Sequence, residues 1–142
     1  MKNSTGLVNY VAATGSLKAA LAGGEIRIWS GSPPADADAA ATGTLLCTIK
    51  NAGAGINFDT AAVGGTLPKA PAETWSGTNV ATGVAGYFRH VLAADANDLS
   101  TTAIRIQGTV GTGGADLNIS STSLTSGAPC PIDGYNVTIP RA

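Results

Sequence analysis

From Gly24 onward, apolar residues recur at every second position in short segments, and this alternation most constrains the fold. A period of two is typical of β-strands, because successive side chains point to opposite faces. Stretches rich in Gly, Pro, Asn and Asp, which are typical of turns, separate the segments. About eight segments follow one another at the spacing found in antiparallel sandwiches and barrels. The alternation therefore predicts an all-β fold.

One segment illustrates the pattern: in GEIRIWS, Ile26 and Ile28 lie on one face and Trp29 on the other. The remaining predicted strands are TLLCTIK, GINFD, ETWSGTNV, AGYFRHVLA, AIRIQGTVG, ADLNISSTSL and PIDGYNVTIP. The segment GSPPADADAAATG is predicted to be a long loop, because its two prolines exclude a central strand.

Helical spacing is confined to residues 4 to 22. Ser4 or Thr5 can cap the N-terminus of a helix there, and apolar residues follow at intervals of three and four. Gly15 is expected to interrupt this helix and Ser16 to cap a second turn. The result is either two short helices or one kinked helix.

The length of 142 residues fits one domain. We predict that 1–142 forms a single antiparallel β-sandwich, of jelly-roll or immunoglobulin-like type, with about eight strands. Residues 1–23 are its short N-terminal helical segment, and residues 24–142 form the sandwich.

The composition narrows the classes of function. Charged residues make up 12% of the chain and the formal net charge is -1, against roughly 25% charged residues in an average globular protein. Nucleic-acid binding requires a clustered positive surface, whereas the eight Lys and Arg residues are spread along this chain. No apolar run is long enough for a membrane span or a signal peptide. We therefore expect a soluble, cytoplasmically synthesised protein that binds neither nucleic acid nor membrane.

Few residue types that perform chemistry are present. His90 is the one imidazole, and a single histidine on a strand is more typical of a surface or core residue than of a general base. Asp36 and Asp38, like Asp95 and Asp98, have a spacing that could supply calcium ligands, but such residues are far more often turn formers. The Gly-rich runs do not open a helix and are predicted to be turns. We predict no enzyme activity, no cofactor and no metal.

The two cysteines, Cys47 and Cys130, are 83 positions apart. Two cysteines and one histidine are too few for a structural zinc site. A disulfide is possible, but two free thiols are favoured for a protein that stays in a reducing compartment.

The remaining signal is the surface, where Thr, Ser, Ala and Gly occupy positions that usually carry Lys and Glu. Charged residues on edge strands normally prevent association, and here they are scarce. Small side chains also lose little entropy when they are covered. The composition therefore favours a protein that neighbours cover in a symmetric assembly, over an ordinary sandwich with a Thr-rich surface.

Several phrases together resemble small virion structural proteins of tailed bacteriophages and their prophages. They are STGLVNY, GSLKAAL, GGEIRIWSGSPPADADAA, TLL, AGYFRHV, IRIQGTVG, GADLNISSTSLTSG and PIDGYNVTIP. The resemblance covers essentially the whole chain and includes no catalytic or ligand motif. It implies a place in the virion, after synthesis in the cytoplasm of a bacterial host. Together with the composition it favours a capsid decoration (cement) protein on the capsid surface.

A decoration protein would contact the major capsid protein and copies of itself, as a trimer or a dimer. The candidate assembly contacts are apolar residues of the helical segment, of the first predicted strand and of the loop after it: Leu7, Tyr10, Val11, Leu17, Leu21, Trp29, Pro33 and Pro34. Equally, the helical segment could simply cap one end of the core. The alternatives for the whole protein are a tail, neck or baseplate component and a carbohydrate-binding or adhesin module of the virion surface.

Overall fold

The computed structural model describes residues 1–130 and 132–139. Two short helices, each capped by a serine, and a series of β-strands form its β-rich fold. Strands account for 41% of the residues and helices for 10%, and the main sheet is nearly closed and barrel-like. This confirms the all-β class and the helical N-terminal segment.

The helices are α1 (Thr5–Ala13) and α2 (Leu17–Leu21). The strands are β1 (Lys2–Asn3), β2 (Gly24–Ser30), β3 (Leu45–Asn51), β4 (Thr66–Leu67), β5 (Trp75–Ser76), β6 (Gly83–Leu92), β7 (Arg105–Gly111), β8 (Leu117–Ile119), β9 (Ser123–Leu124), β10 (Ile132–Tyr135) and β11 (Val137–Thr138). The main sheet has the order β10-β8-β7-β6-β2-β3-β5, with β1 beside β7 and β9 beside β6, while β4 and β11 pair separately. The pairs are antiparallel except β7 with β8, which is parallel.

The two helices begin where the capping residues predict. The Ser4 hydroxyl accepts a hydrogen bond from the backbone N–H of Leu7 (3.1 Å), and the Ser16 hydroxyl accepts one from Ala19 (3.1 Å). These bonds satisfy N–H groups that the first turn of a helix leaves free. Neither helix in the described residues is long and apolar enough to cross a membrane.

The long strands lie where alternation predicts them, but two predicted strands are much shorter. Ile56 and Phe58 of GINFD are buried, yet each makes only an isolated bridge to another segment. The predicted strand around Trp75 is reduced to two residues. Residues 31–44 contain no strand, as their prolines predict.

The inner face of the sheet carries the core, and His90 lies within it. The His90 ring is buried beside Phe58 and Tyr135, 3.1 Å from the Tyr135 hydroxyl and 3.3 Å from the Leu21 carbonyl oxygen. Burial lowers the pKa of His90 to about 4, because the charged ring is poorly solvated there. His90 is therefore a neutral core residue with hydrogen-bond partners, one of the two structural roles that the sequence left open.

The outer face is polar and is covered by residues 31–44, which we call the strap. Arg89 donates a hydrogen bond to the Ala39 carbonyl (2.8 Å), and Gln107 donates one to the Pro34 carbonyl (2.9 Å). Arg105 reaches the Ala37 carbonyl (3.3 Å). The three polar side chains are buried. The strap thus supplies one or more acceptors to each of these buried side chains.

Candidate functional site

An apolar groove of about 570 Å³ lies between α1 and the segment that contains β11. Large apolar side chains line it although they remain exposed: Met1 (48%), Val8 (52%), Val11 (41%) and Ile139 (51%). These are half of the eight large apolar side chains that are exposed in the described part of the chain. A concentration of exposed apolar surface is typical of an interaction site.

Hydrogen bonds that the Ser4 hydroxyl accepts and donates fix the position of α1 beside the groove. Besides capping the helix, the Ser4 hydroxyl accepts a hydrogen bond from the Arg105 N–H (3.0 Å) and donates one to the Ala103 carbonyl (2.7 Å). At the same end of α1, the Asp38 carboxylate accepts bonds from the Thr5 N–H (2.8 Å) and hydroxyl (2.5 Å). These bonds hold the pKa of Asp38 below its usual value. The first turn of α1 is therefore attached to both β7 and the strap.

A glycine allows α1 to approach the chain before β7 closely. A side-chain carbon at Gly6 would collide with the backbone carbonyl oxygens of Thr102 and Ala103. Any other residue would require α1 to move away from this backbone. Because Val8 and Val11 lie on the same helix, the close approach at Gly6 also sets the position of the groove wall.

The side chains that line the groove, within the described residues, are uncharged. The terminal amine of Met1, at the edge of the groove, lies 3.2 Å from the Asp116 carboxylate. Burial opposes ionisation of Asp116, but hydrogen bonds from Thr109 and the attraction of the amine outweigh it and lower its pKa. The amine is therefore paired, and the groove offers apolar contact.

Three predicted assembly contacts are instead core residues. Leu7, Leu17 and Leu21 are buried in the chain's own core, so little of their surface is left for contact with a neighbour. Leu7 and Leu17 form part of the groove floor. Tyr10 is half-buried against the same core and lies on the opposite side of α1, and Val11 is exposed in the groove. The three leucines of the helical segment thus cap the core, while Val11 remains free to contact a partner.

The remaining predicted contacts, one in β2 and two in the strap, do not line the groove. Trp29 is half-buried and stacks on Tyr87, with ring centroids 6.4 Å apart and planes inclined by 13°. Pro33 is exposed beside a small cavity of about 90 Å³, and Pro34 is half-buried where its carbonyl accepts the bond from Gln107. The structure therefore does not unite the predicted contacts in one site.

Sequence reasoning missed Met1, Val8 and Ile139. Val8 follows Leu7 in α1, and helical spacing places Val8 beside Val11 on the side that points away from the core. This spacing was a usable signal for Val8. Met1 and Ile139 come from opposite ends of the described chain, and no local pattern indicates that they meet.

The acidic residues that could have bound calcium make internal contacts. Asp38 binds Thr5, and the Asp95 carboxylate pairs with Arg105 at 2.6 Å. Among the described residues, no group of three His, Cys, Asp or Glu side chains is placed to hold a metal ion. The geometry of the candidate site is thus suited to apolar packing. No protein-family model, curated protein or solved structure matches this chain.

Proposed function

We propose that the protein is a non-enzymatic structural component of a bacteriophage virion, and that it decorates the capsid by binding the major capsid protein through the groove. The exposed apolar wall formed by Val8 and Val11, opposite Met1 and Ile139, is the observation that carries this proposal. The resemblance to small virion proteins supplies the context. We retain the two-layer sandwich of jelly-roll or immunoglobulin-like type as a prediction about the fold.

A decoration protein must stay folded alone and still gain free energy when it reaches the shell. The groove meets both requirements, because the helix beside it is anchored by Ser4, Thr5 and the buried leucines. Its wall would gain about 25 cal/mol for each Å² of apolar surface that the partner covers. A scarcity of charge lowers the cost of removing this surface from water.

The first experiment measures the copy number of the chain in purified virions from the encoding bacterium, by quantitative mass spectrometry. A decoration protein is expected in hundreds of copies, on the order of the shell protein itself. Roughly six or twelve copies would instead indicate a ring in the tail, neck or baseplate. Specific binding on a glycan array would support the adhesin alternative, and absence from virions would refute the proposal.

The second experiment tests the groove with a charged double variant, Val8→Glu with Val11→Lys. The acidic residue lies nearer the helix N-terminus and the basic one nearer its C-terminus, so α1 should tolerate both. Binding to shells that lack the protein should weaken at least about tenfold, because charges would enter an apolar contact. Cosedimentation with such shells measures this loss.

The matched control is Val80→Glu with Leu99→Lys, which alters two exposed apolar residues outside the groove. This variant should bind shells like the unmodified protein. Equal weakening in both variants, or none in the groove variant, would contradict the assignment of the groove as the docking surface.

A further inference from the structure

The barrel-like sheet is joined by a seam between the segment after β5 and the segment before β10. This seam consists of residues 77–79 and 127–130. Asn79 N–H donates to the Ala128 carbonyl (2.9 Å), and Cys130 N–H donates to the Gly77 carbonyl (2.8 Å). Few backbone bonds cross here compared with the long pairs of β2, β6 and β7. A covalent link at the seam would therefore reinforce a closure that a few backbone bonds hold.

The two cysteines meet at this seam. Cys47 of β3 is bridged to Asn79 on one side, and Cys130 is bonded to Gly77 on the other. A side-chain carbon at Gly77 would lie 2.8 Å from the Cys47 sulfur, so the glycine leaves open the space that this sulfur occupies. The thiols of Cys47 and Cys130 are close enough to interact, and both are free and buried.

We propose that Cys47 and Cys130 form an oxidisable dithiol, which a small-molecule disulfide converts to an intramolecular disulfide across the seam. The inference rests on the seam alone and does not depend on the proposed function. Oxidising surroundings outside a cell would supply such a reagent, whereas a reducing cytoplasm would keep the thiols free.

The exchange proceeds in two displacements. The Cys130 thiolate attacks one sulfur of the reagent, the reagent's S–S bond breaks, and the released thiolate takes up the proton that Cys130 lost. The Cys47 thiolate then attacks the Cys130 sulfur of the mixed disulfide. The second reagent thiolate leaves and takes up the Cys47 proton. The protein loses two hydrogen atoms, and one reagent disulfide is reduced to two thiols.

The environment favours Cys130 as the first nucleophile. The interaction between the two buried thiols lowers the pKa of Cys130, whereas this interaction and burial raise the pKa of Cys47. The thiolate is the reactive form, so Cys130 is the more easily activated sulfur. Because both sulfurs are buried, we expect oxidation to require local opening of the seam and to be slow in the folded protein.

The test uses the full-length protein, purified with reductant and then incubated with oxidised glutathione, with and without a urea concentration below the unfolding transition. Intact-mass measurement should show a loss of two hydrogens in the monomer without a retained glutathione, and peptide mapping should join Cys47 to Cys130. The thiols titratable after denaturation should fall from two to none. The Tm should rise by roughly 5–10 °C, because the link closes a long loop.

Single variants distinguish an internal disulfide from other oxidation. Cys47→Ala and Cys130→Ala each keep one thiol, so neither should lose two hydrogens, and Cys47→Ala should retain one glutathione on Cys130. The unmodified protein alone also decides the question if a variant fails to fold. Two titratable thiols that persist through incubation in urea, or disulfide-linked dimers as the main product, would overturn the proposal.

Discussion

Two segments cover the barrel-like sheet, and they are held by opposite kinds of contact. The strap lies over the outer face, where the buried donors Arg89, Arg105 and Gln107 bond to its carbonyl groups. The helical segment covers another part of the sheet mainly through Leu7 and Leu21 in the core. Polar contacts are directional and fix one arrangement of the strap, whereas apolar packing leaves a groove beside α1 that another protein can enter.

The strap and the helical segment also differ in how their stability responds to the loss of one contacting side chain. A buried charge needs its partner, because the desolvation cost remains when the partner is removed. An exposed valine at the groove has no such requirement, so its replacement should affect binding much more than folding. Variants that break a buried polar contact should therefore lose much more stability than variants at the exposed groove wall.

Arg105→Met is expected to destabilise the protein most. The Arg105 guanidinium pairs with both oxygens of Asp95 (2.6 and 2.7 Å) and also reaches the strap. Burial raises the pKa of Asp95, but the bonds with Arg105 outweigh this and keep the carboxylate ionised. Without Arg105, a buried carboxylate loses its counter-charge, at a cost of about 3–5 kcal/mol in the free energy of unfolding. Urea denaturation measures this cost.

The comparison variant is Lys50→Met, which removes an exposed partner of Glu25 (3.2 Å). The Lys50 side chain is exposed, and Glu25 keeps its closer partner Arg27 (2.7 Å), so this variant should lose under about 1 kcal/mol and remain close to the unmodified protein. Arg105→Met should also speed cleavage of the alanine-rich strap by elastase. Similar stability losses in the two variants would mean that the strap does not depend on the buried pair.

Mild acid should weaken the packing of the helical segment on the sheet before it weakens the contacts of the strap. The folded state lowers the pKa of His90 from 6.5 to about 4 because burial disfavours the charged ring. Its contribution to stability is therefore complete above pH 6.5 and is lost as the pH falls towards 4, by about 3 kcal/mol in total. The His90 ring lies against the Leu21 carbonyl, so protonation acts on the end of α2.

Unfolding free energies measured through this pH range test the assignment, with His90→Gln as the control. The control should be less stable at neutral pH but nearly independent of pH in the same range. Asp38 and Asp95, whose pKa values are lowered from 3.8, keep the strap contacts until the pH falls further. An unmodified protein whose stability stays constant from pH 6.5 to 4 would contradict the role of His90.

The features that could be predicted from sequence are those that local chemistry decides. A serine before an apolar run satisfies free N–H groups wherever the helix packs, so Ser4 and Ser16 mark both helix starts. Alternation similarly places β2 and β6, since one face of each strand must be buried. GINFD has the same alternation, but without a long neighbouring strand it forms only bridges at Ile56 and Phe58.

The candidate site depends on contacts between distant parts of the chain, which periodicity does not contain. Helical spacing places Leu7 and Val11 on the same side of the predicted helix. It does not show that Leu7 is buried in the core while Val11 stays exposed. Nor does it show that Ile139 lies across the groove. The burial of Arg89 is likewise unpredictable locally, because the acceptor is a strap carbonyl 50 positions away.

Gly6→Ala tests whether the close approach of α1 maintains the groove, and its sign is informative. At an open helical position, this substitution would stabilise the helix by about 1 kcal/mol. At Gly6 the added methyl would collide with the Thr102 carbonyl, so we expect a net loss of roughly 1–3 kcal/mol. The control Gly113→Ala places its methyl in open space, and its stability should change by less than about 0.5 kcal/mol.

The same substitution connects stability to the proposed docking surface. If α1 moves away from Thr102, Val8 and Val11 move with it, and binding to undecorated shells should weaken along with the unfolding free energy. Gly113→Ala should change neither quantity. A stabilised Gly6→Ala protein that binds shells normally would show that α1 does not need this close approach. The position of the helical segment would then be adjustable, because apolar packing is not directional, whereas hydrogen bonds would still fix the position of the strap.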